Sequence, residues 1–229
     1  MQYIQEPIEH HLSRFMSRVF ALMALALAVT AATAYYVSTI PQIYEPIFKQ
    51  PAYLFALLIA QLGMVVVISF FINRLPTWLV YLLFFIYAVS LGVTFSIIFL
   101  VYTQASIYAT FFVAASMFGA MALYGYFTKA DLTAIGNILF MALIGLIVGL
   151  LINYWLKSPL FDYVLSALGV LVFTMLTAYD VQRIKRIAQY LMERDQTMNK
   201  VAVIGALTLY LDFVNLFIYL LRFMGKRRD

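Results

Sequence analysis

The sequence predicts an all-α membrane protein, a bundle of seven transmembrane helices. Three observations carry that prediction. Of 229 residues, 65% are apolar and only 11% charged, against roughly half apolar and about a quarter charged in a soluble domain. The apolar residues gather into seven stretches, each near the roughly 20 residues that a spanning helix requires. These stretches are apolar on every face, whereas a membrane β-barrel strand alternates apolar and polar over about ten residues.

The seven segments follow in order. The first runs from about Arg18 to Val37 and stops before Pro41 and Pro46. The second, about Ala52 to Ile72, ends at Asn73, Arg74 and Pro76. The third covers about Trp78 to Leu100, and a polar turn, Tyr102 to Ser106, separates it from the fourth, about Ile107 to Tyr126. The fifth, about Gly136 to Tyr154, follows the loop bearing Lys129 and Asp131. The sixth, about Leu160 to Tyr179, and the seventh, about Val201 to Leu221, flank the longest polar connection. Other loops are too short for a second domain, so residues 1–229 are expected to form a single transmembrane domain, with a short polar N-terminus (1–13) and a basic tail (222–229). Gly145 and Gly149, and Ala115 with Gly119, form small-xxx-small pairs expected to let helices approach closely.

The remaining composition excludes several function classes. With no cysteine there is no disulfide framework, thiolate nucleophile or cysteine-ligated metal. The formal charge of +5 reads, in a membrane chain, as orientation across the bilayer and contact with anionic lipid, and nucleic acid is set aside as a partner. Met1 to Ser13 lacks the basic start of a cleaved signal peptide, so the first segment is expected to be retained. His10 and His11 read as a solvated terminus, without a third ligand in range. The connection from Asp180 to Lys200 and the tail are both rich in Lys and Arg, and the positive-inside rule makes both cytoplasmic. Seven full crossings conflict with that, because with the N-terminus inside they leave nine basic residues inside and six outside, four of them in the tail. If the seventh segment entered without crossing, the count would be thirteen against two. Segment length favours seven crossings.

Ionisable residues at membrane depth mark functional sites by default. Two carboxylates fit: Asp180, closing the sixth segment in LTAYD, and Asp212, in the middle of the seventh in LTLYLDFVNLF. If those helices are antiparallel, the two aspartates are equidistant from Asp195, Gln196 and Thr197, and each lies about 24 Å from that turn at 1.5 Å per residue. The sixth helix must then extend to about Tyr190. From Asp212, steps of three and four residues give Gly205, Thr208, Asn215, Tyr219 and Arg222, one polar stripe; Thr174, Thr177 and Arg183 form a shorter one around Asp180. The Thr and Asn side chains are expected to make interhelical hydrogen bonds. Two carboxylates brought together in a low dielectric do not both ionise easily and share a proton. Such a pair latches two helices when protonated, and when ionised it repels or admits a cation, which makes Asp180 and Asp212 candidate cation contacts. Arg74, at the end of the second segment, is the candidate cationic partner, with snorkelling to the head groups as the alternative.

MFGAMALYGYFTKADL (Met117 to Leu132), NILFMALIGLIVG (Asn137 to Gly149), LTAYDVQRIK (Leu176 to Lys185) and GALTLYLDFVNLFIYLLRFMG (Gly205 to Gly225) resemble the bacterial branch of the Bax inhibitor-1 family, the transmembrane Bax inhibitor motif-containing proteins. The resemblance implies a central seventh helix, a bacterial inner-membrane location and a pH-sensitive calcium leak whose two-aspartate sensor falls on Asp180 and Asp212, with Arg74 as latch. One departure is that a bacterial relative's acidic residue in the second helix has only Gln61 and Gly63 near its position here. The function expected is therefore a pH-sensitive cation leak, with Ca2+ as transported ion rather than cofactor. The alternatives are a non-conducting regulator of another membrane protein such as a membrane protease, or an intramembrane aspartyl protease, for which Tyr210–Leu211–Asp212 lacks the expected glycines.

Overall fold

The computed structural model describes residues 5–72, 74–192 and 198–228. Among the described residues there are eight helices and no strand: α1 (Gln5–Ser38), α2 (Pro41–Lys49), α3 (Pro51–Phe71), α4 (Thr77–Val101), α5 (Gln104–Phe127), α6 (Thr133–Leu156), α7 (Pro159–Met192) and α8 (Asn199–Met224). All but α2 are long and apolar enough to cross a membrane. The addition to the expected seven is α2, nine residues of PQIYEPIFK. Hydropathy reads this stretch as a loop because it is short and carries two prolines. It is helical because Pro41 occupies the first helical position, where a missing N–H is harmless. The turn centred on Asp195, Gln196 and Thr197 lies outside the described residues. The expected extension of the sixth span is present, since α7 continues to Met192.

Local chemistry sets the helix ends. Thr103 caps α5 by accepting a hydrogen bond from the Ser106 N–H at 3.3 Å. Lys157 closes α6 in the left-handed conformation (φ 51°), donating its N–H to Asn153 O. Asn153 Oδ1 in turn accepts from the Ser158 N–H, ahead of Pro159 at the start of α7. Two basic side chains cap the exposed carbonyl ends of other helices: Lys185 Nζ donates to Tyr126 O near the end of α5 (2.8 Å), and Lys200 Nζ to Ile72 O after α3 (3.2 Å). Cations there complement the negative end of the helix dipole.

The chain divides into two compact units, Met1–Tyr102 with Ala188–Tyr210 and Arg228–Asp229, and Thr103–Ile187 with Leu211–Arg227. In the first, α1 packs along α4, and Gly92 makes the approach close, since a Cβ there would run into Thr30 O and Thr33 Cβ. Arg18 ties the start of α4 to the start of α8, donating to Tyr81 Oη and Asn199 Oδ1, each at 2.6 Å. After α8, the Arg228 N–H donates to Val101 O at the far end of α4 (2.8 Å). The last helix therefore covers the depth of α4. A re-entrant segment would return the tail to the α4 start, whereas the residues on either side of α8 lie at opposite ends of α4.

In the second unit, α7 and α8 are antiparallel: residue numbers rise on one as they fall on the other through Asp162–Arg222, Phe173–Tyr219 and Asp180–Asp212. Of the small-xxx-small glycines only Gly149 stands at a close approach, and the others there are outside those pairs. A Cβ on Gly125 would collide with the Ala178 backbone, one on Gly136 with the Tyr179 ring and one on Gly169 with the Tyr219 ring. Gly145 and Gly119 face open space, whereas a Cβ on Gly149 would run into the Leu165 side chain. Spacing alone marks where a small residue stands, not whether a neighbour reaches it.

Candidate functional site

Asp180 and Asp212 come together in the second unit, with side chains within hydrogen-bonding reach. Both are buried, 7% and 5% exposed. Two features of the sequence set this up. The run QRIKRIAQYL after Asp180 consists mainly of good helix formers without Gly or Pro, which carries α7 far enough past the aspartate for α8 to return at the right register. Asp212 then falls on the face of α8 that meets α7. Ala178 and Val181 beside Asp180, and Phe213 and Val214 beside Asp212, are buried, so the acids sit in apolar surroundings.

The bonding of this pair is unusual. Asp212 Oδ2 is buried without a hydrogen-bond donor. The polar group that faces Asp212 is another carboxyl, which when ionised also only accepts. A bond between the two exists only when one holds a proton. The cation within electrostatic reach of Asp180 is Arg183, one turn further along α7 and exposed.

The other sequence candidates are distributed differently. Arg74 is exposed in the turn after α3, where its N–H donates to Phe71 O. Gln61, near the position of the relative's acidic residue, is buried and donates to Ser90 O (2.9 Å) and Thr94 Oγ1 (2.8 Å), which makes it a bridge between α3 and α4. Thr208 is half-buried in the first unit. In the second, Asn215 Nδ2 donates to Leu211 O, Thr174 Oγ1 to Val170 O and Thr177 Oγ1 to Phe173 O. These three groups bond back to their own helix and not across to a neighbour as expected, because the carbonyl four residues earlier is already within reach. Tyr219 is buried, stacked on Phe173 and seated over Gly169. His10 and His11 are exposed.

Two polar clusters escaped the sequence reading. Arg222 pairs with Asp162 at 3.5 Å; the only cue was an acid in the first turn of α7, matching a basic residue in the last turn of α8. Gln182, buried, binds the backbone of the loop between α5 and α6. A glutamine two residues after an aspartate carries no signal of that kind.

With this geometry in view, the comparisons with known proteins are decisive at the level of family. The model of the family described as inhibitor of apoptosis-promoting Bax1 matches residues 12–229. The chain belongs to the Bax inhibitor-1 family. It is 46% identical over 218 residues to the inner membrane protein YbhL of Escherichia coli K12, covering 95% of this chain and 93% of that protein. An uncharacterized protein of Rickettsia prowazekii is 41% identical, covering 95% and 92%. An uncharacterized membrane protein of Streptococcus pyogenes serotype M3 is 35% identical, covering 94% and 93%. Together with the seven apolar helices, these relatives make this member of the Bax inhibitor-1 family a multi-pass bacterial inner-membrane protein. Within it the last span is the most enclosed, with 61% of its most apolar stretch buried against 11–39% for the other six.

Proposed function

We propose that this Bax inhibitor-1 family member is a pH-sensitive cation leak, with calcium the ion carried, in which Asp180 and Asp212 sense protons. The observation that carries the reading is a buried carboxyl facing a second buried carboxyl, with one oxygen, Asp212 Oδ2, lacking any donor. A structural bond between these helices would be made at lower cost by Asn, which brings its own donor and no charge. An acid pair adds sensitivity to proton concentration. With one proton between them the groups hold α7 to α8 through an O–H···O⁻ bond. With both ionised they repel, and the negative charge left in a low dielectric favours entry of a cation. In the same scheme Arg74, exposed in the turn after α3, is the latch of the aspartate pair.

The reading of this protein as a regulator that docks a partner through the basic connection has less support. Lys185, Arg186 and Lys200 are committed to Tyr126 O, Asp131 and Ile72 O of the chain itself.

Purified protein in liposomes loaded with a calcium-sensitive dye tests the proposal. Calcium flux is expected to change with pH, and Asp180→Asn and Asp212→Asn are each expected to flatten that dependence. Flux that is indifferent to pH and to both substitutions overturns the reading.

A further inference from the structure

On either side of Asp180, α7 is fastened to the hairpin made by α5 and α6. Before it, the Ala178 backbone lies against Gly125 of α5 and the Tyr179 ring against Gly136 of α6, both too close for a Cβ. After it come Gln182, Lys185 and Arg186. Gln182 Oε1 accepts from the Leu132 N–H (3.0 Å) and its Nε2 donates to Ala130 O (2.8 Å), so one side chain holds the loop backbone by both of its functional atoms. Arg186 donates to Asp131 Oδ1 (2.8 Å), to Thr133 Oγ1 (3.0 Å) and to Gln182 Oε1 (2.6 Å). Lys185 donates to Tyr126 O and lies over the Tyr126 ring, 4.8 Å from its centroid.

From this arrangement we infer that Gln182, supported by Arg186, is a positioning residue that makes Asp180 and the α5–α6 loop move as one body, so that separation of Asp180 from Asp212 displaces the loop. The inference rests on the proposed reading of the two aspartates as a proton-sensitive pair. An α-helix transmits translation and rotation from residue 180 to residue 182 with little slack, because each turn is closed by its backbone bonds. If α7 shifts while the loop stays, five hydrogen bonds between Gln182, Lys185 and Arg186 and residues 126–133 must break together. If the loop follows, they all survive, and Lys129, Ala130 and Asp131 are exposed with room to move.

The charges involved separate cleanly. Asp180 faces Asp212 from α8 and Arg183 from its own helix. At the loop, Asp131 faces Arg186 of α7, and Lys185 of α7 faces Tyr126 of α5. Hydrogen bonds from the Thr133 hydroxyl and N–H, then from Arg186, hold the Asp131 carboxyl well below the usual carboxylate range. The clamp therefore keeps its charge across the physiological range, and protons act at the pair.

The absence of cysteine permits the test on the full-length protein in liposomes. A nitroxide attached at Lys129→Cys reports loop mobility by electron paramagnetic resonance, and calcium-dye flux is followed in the same vesicles. The expected spectrum changes along a single titration with pH, and that titration disappears in Asp212→Asn. In Gln182→Leu the titration is expected to vanish or to move its midpoint by about one unit, a tenfold change in the proton equilibrium; Arg186→Met should move it less. A loop signal that ignores pH, or that titrates in Gln182→Leu as in the parent, overturns the coupling whether or not calcium flows. A signal that titrates through the aspartates while flux is absent upholds the coupling and removes the leak. Should both substitutions prevent folding, the parent spectrum and Asp212→Asn decide.

Discussion

Tyr210 and Asp212 stand two residues apart on α8, and their polar atoms meet opposite fates. Tyr210, in the first unit, places its hydroxyl 2.6 Å from Thr30 Oγ1, which lies 2.9 Å from both Ala26 O and Ala88 O. With the threonine proton directed to a carbonyl, Tyr210 donates to Thr30 and every member of the cluster is satisfied. The rings of Phe84 and Tyr87 meet Tyr210 edge-on, with centroids 6.0 Å away in each case. Asp212, in the second unit, is as deeply buried and keeps an oxygen without a donor. A saturated buried network joins helices. An unsaturated one departs from what folding alone favours, and such departures concentrate at functional sites.

The comparison can be broken or sharpened by substitution. The largest effect is expected where the second unit positions its acid pair. Gly125→Leu pushes a side chain into the Ala178 backbone, two residues before Asp180, and should cost at least about 1–3 kcal/mol, the range for overpacking. A clear fall in Tm in detergent is the readout, with Gly145→Ala as control: its Cβ meets nothing, and helix propensity alone favours alanine by up to about 1 kcal/mol.

A smaller effect, of opposite sign, is expected at the acid itself. Asp212→Asn supplies a donor to Asp180 without needing a proton, replacing a carboxyl–carboxyl contact by an amide–carboxylate hydrogen bond, a gain of roughly 1–2 kcal/mol. Thermal unfolding at neutral pH should rise even as the pH response of flux is lost. A fall in Tm would mean that the pair is held for stability, and the contrast with Tyr210 would fail.

The smallest effect is assigned to the saturated cluster. Tyr210→Phe removes one hydrogen bond while keeping the ring, a loss near 1 kcal/mol in a membrane interior. The pH profile of flux should not move. A shifted profile would extend the sensor beyond the acid pair.

Much of this was legible in the sequence, for physical reasons that also explain the gaps. Seven spans are visible because lipid demands a continuous apolar surface, and that demand leaves few places for a carboxylate. Asp180 and Asp212 stand out for the same reason, and helix rise alone brings them to one level. Contacts depending on what lies across a helix pair are not legible. Gly125, Gly136 and Gly169 carry the tight approaches, while Gly145 of the GxxxG pair does not. Gln182 is silent in sequence because its partners are backbone groups, which any residue offers. Nine residues with two prolines give α2 no hydropathy signature.

Two helices belong to both units: α7 passes from the second to the first at Ala188, and α8 from the first to the second at Leu211. Of the eight helices, α8 is the last to leave the ribosome. Neither unit then has its full set of contacts until α8 has emerged, and a nascent chain halted before Asn199 leaves both incomplete. Quality control in the membrane thus meets two unfinished bodies at once, and a single late insertion event completes them together.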